Sequence, residues 1–198
     1  MPKYLGPLLV LDLETTSDDP YVRGASILEI GAILTRSPEM EVIAEASILV
    51  RPPGSSNDHD VLYANMIPVV RDMHASSGLW AECTGPDSQY RIDDADRALV
   101  GWLDSYDVIE PLPICGAGIS HLDLPFVRAF MPALAARTTY WGLDISPTRR
   151  MLTYVGRDDL VDLATDVDAK PHRALGDARL HLAEARRYFG LLAQLPRA

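Results

Sequence analysis

The sequence predicts an α/β fold, a mixed central sheet flanked by helices. Three observations carry this expectation. Within the first fifty residues, three apolar, β-prone runs follow one another through turn-like links, which predicts an antiparallel set. From about residue 93 onward, helical spacing alternates with short strands, an order that lays helices on the faces of a sheet. The 198 residues are 47% hydrophobic and show no internal repeat, low-complexity stretch or dividing linker. That suits one core, so residues 1–198 read as a single domain.

Each element has a local reason. Residues 8–13 form a short apolar run and read as a buried strand. Residues 26–35 and 41–50 read as two more, joined by a turn at Ser37-Pro38. Residues 51–60 (Arg-Pro-Pro-Gly-Ser-Ser-Asn-Asp-His-Asp) read as a loop by composition, 61–73 as one or two short helices, and 80–91 as another loop. Ala95, Leu99, Trp102, Leu103 and Tyr106 recur at helical spacing after an acidic start. Pro113-Ile114-Cys115-Gly116 reads as a strand ending at glycine, 122–130 as a helix, and the stretch after Met131-Pro132 as a further helical patch. Residues 139–144 read as a strand. Ser146-Pro147 then starts a helix, with the serine as N-cap and the proline first inside. The last helix spans about 174 to 193, with Leu175, Ala178, Leu182, Ala185 and Phe189 on one stripe.

Bulk properties exclude several classes. A net charge of −10 argues against coating long nucleic acid, which needs a basic surface. It leaves room for an enzyme that engages a few nucleotides at a cation site. No apolar run reaches the roughly 20 residues needed to span a bilayer, and residues 1–7 lack the apolar segment of a secretion signal. Cys83 and Cys115 have no metal-ligand spacing, which fits a reducing, cytoplasmic setting.

The chemistry is concentrated in acidic residues. Asp12 and Glu14 sit two apart at the end of an apolar strand, so both carboxylates project from one face. Two such charges repel, and a divalent cation is one means of compensation. The glycines of Gly116-Ala117-Gly118 allow a tight turn, after which Asp123 opens a helix; alone, it also suits a helix-dipole partner. His172 and Asp177 are five apart, out of phase on one helix. They converge if His172 lies on the loop, a placement that Pro171 supports. A loop imidazole with a pKa near 6.5 suits a general base.

In this order, Asp-x-Glu, a mid-chain Asp and His-x4-Asp resemble the histidine-base branch of the DEDD-type 3′→5′ exonucleases, which have a ribonuclease H-like fold. Within that superfamily the chain resembles oligoribonuclease from Asp12 to about Tyr188. The likeness is carried by Met73-His74-Ala75-Ser76-Ser77-Gly78-Leu79, the segment from Asp123 to Met131-Pro132, Leu143-Asp144-Ile145-Ser146, and His172-Arg173-Ala174-Leu175-Gly176-Asp177-Ala178-Arg179. The resemblance implies that Asp12, Glu14, Asp123 and Asp177 hold two Mg²⁺ or Mn²⁺ ions, with His172 as general base. It implies substrate contacts at His74, Ser76 and Thr15, and a homodimer in which Tyr140 and Ser146 reach the partner's site. The substrate would be short single-stranded RNA, cut one nucleoside 5′-monophosphate at a time.

The chain also departs from that family. Asp18 stands where the family has a leucine wedge, so Tyr21 is expected to take over stacking. Val69, Trp141 and Pro147 replace a tryptophan, an arginine and a threonine of the family. These changes imply altered or broader substrate use. The alternatives are the same chemistry on single-stranded DNA, and an inactive domain that binds nucleic acid or a partner protein.

Overall fold

The computed structural model describes residues 6–86, 88–162 and 172–194. Five strands form one mixed sheet in the order β3-β2-β1-β4-β5. They are β1 (Leu8–Thr15), β2 (Ile27–Arg36), β3 (Glu41–Leu49), β4 (Ile114–Gly116) and β5 (Leu143–Asp144). The first three are antiparallel neighbours, as the turn-like links require, and β4 and β5 add on in parallel. Helices α1 (Ser56–Asn65), α2 (Pro68–Ser76) and α3 (Leu79–Thr84) follow β3. Then come α4 (Ile92–Asp104), α5 (Asp123–Phe130), α6 (Pro132–Ala136), α7 (Ser146–Tyr154), α8 (Asp158–Asp162) and α9 (Ala174–Ala193).

The period of two sorts β1 onto two cores. Leu9, Leu11 and Leu13 join the cluster that α4, α5 and α6 cover with Leu99, Leu103, Phe126, Val127 and Leu134. Leu8 and Val10 face the other way, onto Ala178, Leu182, Ala185 and Tyr188 of α9. Asp12 and Glu14 continue that second face beyond its apolar part. A third cluster of Leu28, Met66, Leu79 and Cys83 seats α1 to α3 against β2.

Close approach of α9 depends on one glycine. Gly31 is the β2 partner of Asp12. A Cβ there would collide with the backbone of Ala174 and Leu175. Its absence lets the first turn of α9 rest directly on the sheet, beside the acidic end of β1.

Several local expectations are corrected. Residues 51–60 are not wholly loop, because Ser55 and Asp58 form a capping box that starts α1. The expected loop at 80–91 contains α3, whose Leu79 and Cys83 are buried under β2. The strand expected over 139–144 contracts to Leu143–Asp144. Helix α7 begins one residue earlier than read. Ile145 is its N-cap and Ser146 lies inside, since Asp144 already accepts the Ser146 N–H at 3.0 Å. Pro171 lies outside the described residues.

Candidate active site

The carboxylates gather where β1 and β4 part. The two strands pair only at Leu9 and Val10 of β1. Leu9 N–H points toward β4 and bonds Pro113 O at 3.1 Å, and the period of two turns Leu13 N–H the same way. By then β4 has ended, so this N–H needs another acceptor. Asp123, at the start of α5, supplies it, with Oδ1 at 2.9 Å. A buried acid is thereby latched onto the backbone between Asp12 and Glu14, well beyond a helix-dipole role alone.

Asp177 arrives from the opposite layer. It lies in the first turn of α9 and is 4% exposed, beside Glu14 at 5%. One ligand oxygen from each of Asp12, Glu14 and Asp177 lies within 4.8 Å of the others. Such a gathering of carboxylates, two buried and one partly so, is unfavourable by itself, and hard oxygen donors match Mg²⁺, Mn²⁺ or Ca²⁺. The donor set therefore fits a divalent cation.

Histidines surround this acidic face. His74 of α2 is fully buried. Its Nε2–H donates to Thr15 O at 2.8 Å, which orients Nδ1 toward Glu14 Oε2 at 3.8 Å. Burial lowers its pKa below the usual imidazole value and outweighs the Thr15 hydrogen bond, which acts in the raising direction. His172 lies close enough to His74 for its charge to push the same way. It is half-buried on the loop entering α9, with φ +47°, a backbone region that costs about 1–3 kcal/mol and occurs at functional positions.

Substrate candidates are spread more widely. Thr15 is buried and donates through Oγ1 to Ser17 O at 2.6 Å. Ser76 is exposed and turns its hydroxyl to Met73 O, 2.9 Å away. Tyr21 and Tyr140 are 79% and 87% exposed. Ser146 is buried. A groove of about 320 Å³ runs beside Thr16, Ser17, Asp18, Arg23, Leu62 and Ile67, adjoining the acidic end of β1.

Three participants escaped sequence reasoning. Glu29 of β2 is 2% exposed. It accepts the Ala174 N–H at 2.8 Å and an ion pair from Arg173 at 2.9 Å. Arg173 also grips Glu82 of α3 at 2.8 Å. These contacts satisfy the first turn of α9 and tie the His172 loop to the α2–α3 layer. The available signal was a lone acid inside the apolar run Ile27-Leu28-Glu29-Ile30. The third is His181, one helical turn beyond Asp177, whose Nδ1 lies 3.6 Å from Asp12 Oδ1. Cys83 and Cys115 are free and buried, and burial pushes both thiols up to about 12, which removes them as nucleophiles.

Comparison with known proteins follows the same lines. No protein-family model matches the sequence. The nuclease domain of 3′hExo, a DEDDh family member bound to rAMP, superposes with a TM-score of 0.62 at 15% identity, over 99% of this chain and 98% of that one. The zinc-bound E. coli ExoI–ssDNA complex gives 0.66 at 16% identity, over 96% of this chain and 42% of that one. Both likenesses establish the fold. Curated relatives carry the family. An oligoribonuclease of Streptomyces avermitilis is 28% identical over 172 residues, 82% of this chain and 76% of the relative. That of Azoarcus sp. strain BH72 is 30% identical over 183 residues, 91% of this chain and 92% of the relative. That of Ectopseudomonas mendocina is also 30% identical over 183 residues, 91% of this chain and 93% of the relative. With an acidic face on the expected fold and this likeness running nearly end to end, the chain belongs to the oligoribonuclease family.

Proposed function

We propose that the protein is a metal-dependent 3′→5′ exoribonuclease that releases nucleoside 5′-monophosphates from short oligoribonucleotides. The observation that carries this reading is the convergence of Asp12, Glu14 and Asp177 within 4.8 Å. Asp123 stands latched to the strand between the first two. We assign Asp12, Glu14, Asp123 and Asp177 as the holders of two divalent cations, Mg²⁺ or Mn²⁺. Such ions, when bound, neutralise the scissile phosphate and stabilise the leaving oxygen.

The chain's own residues do the rest. His172 acts as general base and removes a proton from the attacking water. The water oxygen bonds to phosphorus, the bond to the 3′ oxygen of the penultimate nucleotide breaks, and the terminal nucleoside 5′-monophosphate departs. The strained, half-buried loop position of His172 supports this role. His74 buttresses Glu14 and Thr15, and the terminal nucleotide meets His74, Thr15, Ser76 and Tyr21. In a homodimer Tyr140 and Ser146 would serve the partner's site; the exposure of Tyr140 supports this, while Ser146 presents little surface in the single chain. Residues 1–198 act as one exonuclease domain.

The test is incubation with 5′-labelled di-, penta- and 20-nucleotide RNA and DNA in Mg²⁺, Mn²⁺ or EDTA. Stepwise, metal-dependent shortening of short RNA is expected. No metal-dependent release from any substrate would overturn the enzymatic reading, and equal rates on long DNA and short RNA would replace RNA by single-stranded DNA. Light scattering should report twice 21.8 kDa, and a monomer mass would remove Tyr140 and Ser146 from the site.

A further inference from the structure

Helix α9 delivers two polar side chains to β1. Asp177 and His181 are four residues apart, so they share one face. The other buried residues of α9 are Ala174, Ala178, Leu182, Ala185 and Tyr188, together with Glu184, which is paired with Arg149. An imidazole among such residues is costly unless it has an electrostatic partner. His181 is 4% exposed, and its Nδ1 lies 3.6 Å from Asp12 Oδ1. Gly116 of β4 lies beside the same nitrogen, but its lack of a Cβ is required by Ile119 and Leu11 O rather than by the histidine. The ring is not among the groups that gather within 4.8 Å, so it contacts Asp12 without joining that cluster.

We infer that His181 is a positioning residue of the cation site, holding the Asp12 carboxylate in the orientation that receives the ion. The inference rests on the proposal that Asp12 binds metal. Groups that orient a metal-binding carboxylate typically change affinity by about 10–100-fold when removed. The strand end makes orientation matter. Asp12 lies opposite Gly31, which offers no side chain, and His181 of α9 approaches its carboxylate.

The experiment is titration of the full chain with Mn²⁺, followed by electron paramagnetic resonance and calorimetry. Wild type, Asp12→Ala, His181→Leu, His181→Ala and His181→Gln are compared, with melting in EDTA as the folding control. Wild type should bind Mn²⁺ and Asp12→Ala should not. His181→Leu and His181→Ala should bind about 10–100-fold more weakly, while His181→Gln, which keeps an N–H donor, should stay within about threefold of wild type. Unchanged affinity in folded His181→Leu or His181→Ala would reduce the histidine to core filling and overturn the inference alone. Equal losses in Ala and Gln would overturn a polar contact with Asp12 as the basis of the effect. Absence of Mn²⁺ binding by wild type would overturn both the inference and the metal assignment.

Discussion

At the scale of single residues, the site is a set of charges that the folded chain holds together against their repulsion. Asp12→Ala should therefore reduce turnover to below a few per cent of wild type. Its melting temperature in EDTA should hold or rise, because one repelling carboxylate is gone. A clear fall in stability would mean that Asp12 serves the fold rather than a cation. His172→Ala should lower kcat by at least about 10²-fold, the usual scale for loss of a general base. An unchanged rate and pH profile would remove His172 from that role. Asp12, Glu14 and Asp177, which the fold gathers into a cluster able to hold a cation, were legible as a set through the resemblance of their order along the chain to a known family pattern. Glu29 and His181 were not. Each looks like an ordinary polar residue until a second element is packed against it.

At the scale of elements, α9 is the helix that must be seated on the sheet. Its first turn is fastened by Glu29, which accepts from Ala174 N and from Arg173. Arg173→Ala leaves Glu29 with a buried charge lacking its cation, which costs up to about 3–5 kcal/mol where burial is complete. Arg173 is itself 31% exposed, so a loss near the lower end is expected in urea unfolding. kcat should fall more than KM rises, since the turn carries both His172 and Asp177. A loss confined to stability would separate the clamp from catalysis. A similar clamp shapes the loop before α5. Asp144 accepts N–H groups from Gly118, Ser120 and Ser146 at 3.0, 3.1 and 3.0 Å. Burial would raise its pKa, but these donors outweigh it and hold the carboxyl below the ordinary value. Its contribution is present above the ordinary carboxylate range and is lost as pH falls through the lowered value. Asp144→Ala should cost about 1–3 kcal/mol at neutral pH and nearly nothing in strong acid. An equal cost at both pH values would contradict this assignment.

At the scale of the whole molecule, activity depends on two layers meeting over one strand end. Gly31→Ala tests that directly. The added methyl would strike backbone rather than a flexible side chain, so the cost should reach or exceed the usual 1–3 kcal/mol of overpacking, about 3 kcal/mol or more. Metal affinity should fall as α9 lifts, and retention of both stability and affinity would show that α9 is seated otherwise. The three antiparallel strands, the α9 stripe, the α4 stripe from Ala95 to Leu103 (Tyr106 falls beyond α4 and is exposed) and the turn at Ser37-Pro38 were readable because periodicity records which face is buried. Helix α3 and the contracted β5 were not, since burial of Leu79 and Cys83 under β2 outweighs a composition that looks like loop. By itself, then, the sequence determined the strand and helix order, the acids near the element ends and a net charge that argues against a nucleic-acid coat. These follow from interactions between residues a few positions apart. Only the tertiary structure decided that Asp123 bonds Leu13, that Gly31 admits α9, and that Glu29 and His181 stand behind the site. Those contacts join residues more than sixty positions apart, and no local period encodes them.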